Sequence, residues 1–305
     1  MSIFNKNTIF KSDLPTSLIS SLEKLLKTKA SNYNIIVNGN ECSFFGFKVN
    51  GIFLSFPLLD TGVIADKNHE ALYSKCKRYR IKTSNFFLNE GFGRQSVKSF
   101  FLIDTRDTYN IYLSKLNSKY RSQLKNIKIV FKYYIYERPT REDLDLFYKV
   151  YIKRMRKIAA IPMPKSFFNE LENSQGVFFS KVLDPLNNCR SVSISIMIKD
   201  TLHIIWAASD NKDSSNLFMY RELVNFCCDQ KGINYLNIGR ATNDSSQYKF
   251  KKRIGGLEFP IIENKNYKPF LNRSNLPKNI ARLYQISPCF LIELLSRIIY
   301  RRVIR

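Results

Sequence analysis

A mixed α/β fold of the α+β kind is what this sequence predicts, and three observations carry the prediction. Strand-like runs at 177–183, 191–198 and 202–208 lead into an apolar helix at 217–231 and then a short β-rich run at 233–238. Nearer the start, runs at 34–37, 42–49 and 52–58 read as an antiparallel meander, the last two joined by Asn50-Gly51, a type I′ turn pair. Between the two groups, Leu113, Leu116, Tyr120, Leu124 and Ile127 recur at helical spacing, which predicts an amphipathic helix over 109–127.

Taken in order, Ser12 or Asp13 can cap a first helix carrying Leu14, Leu18, Leu22, Leu25 and Leu26, with Pro15 tolerated in its first turn. After the meander, a helix over 67–81 precedes strands at 85–88 and 97–103. The helix at 109–127 presents Lys115, Lys119, Arg121, Lys125 and Lys128 opposite its apolar stripe. A strand over 129–136 leads to Thr140, which forms a capping box with Asp143 and starts a helix that turns Leu144, Phe147, Tyr148, Tyr151, Met155 and Ile158 inward. Its later turns bear Lys149, Lys153, Arg154, Arg156 and Lys157; cations there suit the helix dipole, so part of the cluster has a structural explanation. Arg121, Arg154 and Arg156 remain candidates for phosphate contact. Pro162 and Pro164 break the helix. In the run 191–198, Val192, Ile194, Ile196 and Ile198 alternate with Ser191, Ser193, Ser195 and Met197, which predicts a sheet with one buried face.

The stretch from Gly232 to Gly256 gathers polar and basic groups at the end of a buried strand. Ile233, Tyr235, Leu236 and Ile238 form the strand, Gly239 closes it and Arg240 emerges at its exit. A polar loop follows, then a segment at 247–254 with Lys249, Lys251, Lys252 and Arg253 beside Tyr248 and Phe250. These halves can form an anion-binding cleft or a solvated basic turn.

Charge narrows the partners. The 305 residues carry 49 Lys and Arg against 25 Asp and Glu, a net +24 that favours a phosphate-rich partner or an anionic membrane surface. Nucleic acid, a nucleotide- or lipid-linked phosphate substrate and anionic lipid all fit. Six cysteines form no Cys-x-x-Cys, which argues against a zinc framework or disulfide scaffold and suits a reducing cytoplasm. The start of the chain has no apolar signal region, and no run is long enough to span a bilayer, so a cytoplasmic protein is expected. The two histidines, His69 and His203, lack the spacing of a metal site, so no metal is expected. No Gly-x-Ser-x-Gly elbow, phosphate-binding Gly-Lys loop or Gly-x-Gly-x-x-Gly turn occurs. What remains is chemistry that needs positioning and oxyanion stabilisation more than a dedicated nucleophile, and acyl transfer to an amine is such a reaction.

Asn216, the helix running to Lys231-Gly232, the strand ending in Gly239-Arg240, the Phe250-Lys251 pair and Gly255 stand in an order that resembles the second domain of the FemAB-like acyltransferases, within the wider GNAT-like fold. Upstream, Ser55, Pro57, Asp60 and Gly62 look like the Ser-x-Pro-x-x-Asp-x-Gly element of their first domain. The resemblance implies two tandem GNAT-like domains, a degenerate one over 1–105 and an acyltransferase domain over 106–265, followed by a basic tail over 266–305. It implies that Lys251 sits near the acyl donor or the developing charge, that Arg240 binds or orients a substrate and that Phe250 shapes the wall. Asn216 and Tyr220, one helical turn apart, can line the same cleft through an amide and a phenol.

No cofactor is expected to be resident; the co-substrate is an acyl-CoA or an aminoacyl-tRNA. The loop over 209–216 has no glycine, unlike the phosphate-cradling loop of GNAT-type acyl-CoA users. The acceptor implied is an amine on a cell-envelope glycan or its lipid- or nucleotide-linked precursor. The competing expectation is a non-enzymatic basic protein that binds nucleic acid or an anionic membrane through the 115–157 cations and the C-terminal helix. From Pro288 onward, Glu293, Arg297, Arg301 and Arg305 fall four apart, with Leu291, Leu294, Leu295, Ile298, Ile299 and Val303 on the opposing arc. This helix can lie on an anionic inner-membrane surface or pack on the protein.

Overall fold

The structure, a computed structural model, describes residues 11–37, 40–49, 52–54, 63–64, 81–82, 94–127, 131–209, 214–263 and 278–303. Helix α1 (Thr16–Leu26) leads into strands β1 (Ser31–Val37), β2 (Asn40–Val49), β3 (Ile52–Leu54), β4 (Val63–Ile64), β5 (Ile81–Lys82) and β6 (Arg94–Asp104). Helices α2 (Tyr109–Lys115) and α3 (Ser118–Asn126), strand β7 (Lys132–Glu137), and helices α4 (Arg141–Lys157) and α5 (Lys165–Asn169) follow. Next come β8 (Val177–Leu183), β9 (Cys189–Ile198), β10 (Thr201–Ser209), α6 (Ser215–Asp229), β11 (Tyr235–Thr242), α7 (Ser246–Arg253), β12 (Leu257–Glu263), α8 (Lys278–Ile286) and α9 (Cys289–Val303).

The mixed α/β class expected from the sequence is the one observed. The meander forms a small sheet, with β2 and β3 paired from Val49↔Ile52 outward, a register that leaves a two-residue connection. The Asn50-Gly51 turn, the Ser-x-Pro-x-x-Asp-x-Gly stretch beyond Leu54, the helix expected over 67–81 (up to Arg80) and the strand over 85–88 lie outside the described residues.

The larger sheet runs β12-β6-β11-β10-β9-β8-β7. All its pairings are antiparallel except β10 with β11. Strand β6 precedes residue 105 in the chain yet lies between β11 and β12, so the end of the N-terminal segment completes the sheet of the residues that follow. Leu14, just before helix α1, and Leu18, Leu22 and Leu26 within it join the same apolar layer as α4 and α5.

Two apolar layers sandwich this sheet. One gathers α1, α4 and α5 over Val177, Phe179, Val192, Ile194, Ile196 and Ile198; the other gathers α2, α3 and α6 over Phe101, Leu202, Leu236 and Ile238. Both faces of β9 are therefore buried, which corrects the single buried face expected from its alternation. Ser191, Ser193 and Ser195 lie under α6, where Ser193 shares a 2.7 Å hydrogen bond with Ser180 and Ser191 a 2.8 Å one with Ser215. Hydroxyls paired in this way satisfy their polar atoms while their small volume admits a helix closely.

Local chemistry accounts for further differences. The helix expected over 109–127 is two helices, because Asn117 interrupts the first and caps the second by accepting from the Lys119 amide at 3.0 Å. Pro15, not Ser12 or Asp13, occupies the cap position of α1, and no side chain caps it. The Thr140–Asp143 capping box of α4 forms as expected. Ile158 falls just past the last turn of α4 and is exposed instead of inward.

Candidate active site

Strands β10 and β11 share three residue pairs, Thr201↔Tyr235, Leu202↔Leu236 and His203↔Asn237, and then part. Beyond that point β10 keeps its ladder with β9 as far as Ser209↔Ser191, and β11 keeps its ladder with β6 as far as Thr242↔Lys98. Each strand carries an irregularity just where they separate. On β10 the register shifts between Ile204 and Trp206, and on β11 between Asn237 and Arg240. Bulges bend a strand and sharpen its twist, so two of them back to back drive the strands apart. The bulge also reverses the facing of β10: Leu202 and Ile204 pack with α6, whereas Trp206 and Ala208 pack with α4 and α5.

Parting strands leave backbone groups that need partners. The Ile238–Gly239 peptide is held at both ends by side chains: its carbonyl accepts from Lys251 Nζ, and its amide donates to Asn237 Oδ1 at 2.8 Å. Asn237 Nδ2 in turn donates to His203 Nδ1 at 3.1 Å. That bond places the imidazole proton on Nε2, and burial holds the His203 pKa down to about 4, so the ring is neutral near pH 7. Gly239 has φ +79°, and a Cβ added to it would meet Lys251 Nζ at 3.4 Å and the Ile204 carbonyl at 3.7 Å. The Lys251 nitrogen thus lies against the stretch of β11 from which β10 departs.

Lys251 reaches this place because the cation-dense stretch is a helix, α7 (Ser246–Arg253). Ser245 caps it by accepting from the Tyr248 amide at 3.1 Å. The helix sorts its cations: Lys249, Lys252 and Arg253 are exposed, and Lys251, 7% exposed, points inward. Lys252 pairs with Glu258 at 2.9 Å, and Glu258 also accepts from Tyr248 at 2.7 Å and Ser99 at 2.8 Å. Burial would raise the Glu258 pKa, but these bonds hold it below the usual carboxylate range. At the end of α7, a Cβ on Gly256 would lie 2.7 Å from the Lys251 carbonyl and 3.1 Å from Phe101, so only glycine lets the helix press this closely onto β6. A Ser cap followed by eight residues was the available signal for α7; its lack of apolar periodicity hid it.

Phe250 and Tyr220 meet edge to face, with ring centroids 5.3 Å apart, so α6 and α7 bring these two rings together. Burial pushes the Tyr220 pKa up to about 12, which keeps its phenol protonated and able to donate. Asn216 is half-buried one turn before Tyr220 in α6. Arg240 is exposed on β11 just past the bulge, level with Phe100 of β6. The strand continues through Arg240 to Thr242 instead of ending there.

The three remaining arginines do not share this place. Arg121 is on α3, in the layer that holds α6, and donates to the Ser114 carbonyl at 3.3 Å. Arg154 and Arg156 are on α4, in the opposite layer, and two residues apart on a helix they point in different directions. Burial lowers the Arg154 pKa, and Arg156 donates to the Ser287 carbonyl at 3.4 Å. Among the described residues, no cluster of three His, Cys, Asp or Glu is placed to hold a metal ion, and no helix is long and apolar enough to cross a membrane.

No family model matches this sequence, and no curated protein matches it. Solved structures do match. The crystal structure of FemX superposes with a TM-score of 0.58 over 82% of this chain and 90% of its own, at 13% identity. The chain has a FemAB-like, GNAT-like fold. The C-terminal domain of a putative lysylphosphatidylglycerol synthetase from Agrobacterium fabrum superposes at 0.51, covering 82% of this chain and 92% of its own at 10% identity. A conserved protein of unknown function from Bacteroides thetaiotaomicron does so at 0.50, with 82% and 91% covered at 9% identity. An 82% share of this chain is more than residues 106–265 can supply, so the FemAB-like match extends into the N-terminal part.

Proposed function

We propose that the protein is an N-acyltransferase that moves an acyl or aminoacyl group onto an amine of a cell-envelope glycan or its lipid- or nucleotide-linked precursor, and that the reaction takes place where β10 and β11 part. The observation that carries this reading is the seating of Lys251 on the bulged stretch of β11 from which β10 departs. Such a place offers what amide formation needs. The amine attacks the activated carbonyl, a tetrahedral oxyanion develops, and donors held in advance stabilise it. The attacking nitrogen releases a proton as the donor's thiolate or ribose oxygen leaves and takes one up.

In this reading Lys251 is the catalytic residue that faces the developing charge. Tyr220 donates from its protonated phenol, Phe250 walls the acceptor, Asn216 supplies an amide, and Arg240 holds an anionic part of the substrate. Arg121, Arg154 and Arg156 contact phosphate, in this reading, at places separate from Lys251. A neighbour named for an aminoacylated phospholipid supports an aminoacyl donor and an envelope acceptor. The glycine-free loop over 209–216 points away from a phosphate cradle of the usual acyl-CoA kind.

The test offers purified protein acyl-CoAs or charged tRNA in separate reactions, with amino-sugar acceptors and lipid-linked precursors, and follows transfer by mass spectrometry. Transfer from one donor that disappears in Lys251→Ala supports the enzyme and identifies the donor. Salt-sensitive nucleic-acid binding that Lys251→Ala leaves unchanged, with no transfer from either donor, returns the protein to the class of non-enzymatic basic binders.

A further inference from the structure

The C-terminal helices settle on the protein by an unexpected side. Three hydrogen bonds fix them to the end of α4: Tyr284 donates to the Ala160 carbonyl at 3.0 Å, Gln285 to the Lys157 carbonyl at 3.0 Å, and Arg156 to the Ser287 carbonyl at 3.4 Å. Two of these accept at or just past the C-terminus of α4, where a helix leaves carbonyls without internal partners. Tyr284, Ile292 and Ser296 are buried in this contact. The described part of the apolar arc faces out. Ile286 is 78% exposed and Phe290 68%, and Leu291, Leu294 and Leu295 are exposed beside them.

At about 100° per residue, Phe290, Leu294, Leu291 and Leu295 fall within one arc of about 140°, with Ile292 and Ser296 on the far side. A helix that buries a serine and leaves four large apolar residues in water has not used its best face on the protein, which argues for a second apolar medium. Charge says which one. By sequence, residues 278–305 carry six cations (Lys278, Arg282, Arg297, Arg301, Arg302, Arg305) and one acid, Glu293, which is paired with Arg297 at 2.5 Å; among the described side chains, Arg282 and Arg297 are exposed and form the tail's share of a cationic rim. On α4, the exposed Lys149 and Lys153 follow next round the helix from the Tyr148–Ile152–Arg156 row, where the tail packs. An isologous contact with a second copy would set this cationic rim against itself, on molecules that each carry a net +24. An anionic bilayer matches both the apolar arc and its rim.

We infer that α8 and α9 form a docking surface for an anionic membrane, inserting Ile286, Phe290, Leu291, Leu294 and Leu295 among the lipids while Arg282, Arg297, Lys149 and Lys153 meet the headgroups. The surface holds the whole protein at the bilayer through α4.

The test is co-sedimentation of the full chain with vesicles of phosphatidylcholine alone and of phosphatidylcholine mixed with phosphatidylglycerol, for wild type and for Phe290→Ser/Leu294→Ser. Both side chains are exposed, so the variant keeps its fold, checked by circular dichroism. Wild type is expected on the phosphatidylglycerol vesicles, with the double variant weakened about tenfold or more, the loss of two inserted apolar groups. Equal binding by the variant would mean that cations alone make the contact and would overturn the proposal, as would no binding by wild type. A wild-type dimer that the double variant splits, without vesicle binding, would assign the face to a second copy instead. The readout is binding, so its failure and a failure of the transfer reaction are separate results.

Discussion

Strands β8 and β9 stay paired through seven positions, from Val177↔Ile196 to Leu183↔Cys189, whereas β10 and β11 share three and separate. In the first region the ladder satisfies the backbone, and the side chains are left to pack or, as with Ser180 and Ser193, to bond each other. In the second, side chains take over the ladder's work: Lys251 and Asn237 hold the two ends of the Ile238–Gly239 peptide. The difference teaches where chemistry can be placed. A closed ladder has no backbone group to spare for a substrate, while an opened one must be propped by polar side chains that are then in position to act.

The largest expected effect comes from removing the prop. Lys251→Ala should lower transfer by about 10²–10³-fold, the usual loss for one oxyanion donor, while Lys252→Ala, one residue away but turned to Glu258 at the surface, should leave it within about twofold. Single-turnover rates of the two variants make the comparison, and equal losses would mean that the cation run acts as a whole.

His203 sharpens the comparison through pH. Its folded pKa near 4 lies below the ordinary value of about 6.5, so between those values the unfolded chain binds a proton that the folded chain refuses. Stability should therefore fall as pH drops from about 6.5 towards 4, by up to about 3 kcal/mol, and be fully present above that window. Urea midpoints across this range should flatten in His203→Gln; an unchanged slope would place the titration elsewhere.

Gly239→Ala tests the opening itself. The left-handed backbone and the approach to Lys251 should cost about 1–2 kcal/mol, read as a lowered urea midpoint. The smallest change belongs to the closed ladder. Ser193→Ala should cost about 1 kcal/mol for one lost hydroxyl bond and leave transfer untouched.

Much of the fold was legible because its signals are local. The periods of the runs over 177–183, 191–198 and 202–208, the Thr140–Asp143 box and the apolar helix before Gly232 each depend on neighbours within a turn or a strand, and each formed close to where the sequence put it. The order of Asn216, Gly239-Arg240 and Phe250-Lys251 was likewise readable as a FemAB-like pattern, though nothing in it says that Lys251 turns inward and Lys252 outward. That choice is made by the eight residues of α7 against β6 and β11, under a Gly256 that lets them approach.

By itself, then, the sequence determined the class of fold, most helices and strands of the second half, the strong positive charge and the residue types gathered near the proposed site. Tertiary structure decided that β6 crosses into the later sheet, that both faces of β9 are covered, that β10 and β11 part after His203 and Asn237, and which side of α9 faces the protein. The physical reason is the range of the interactions. Periodicity and caps are fixed by hydrogen bonds and side chains a few residues apart, while strand partners, bulges and docked faces are chosen by which distant surfaces bury the most apolar area and leave the fewest backbone groups unpaired.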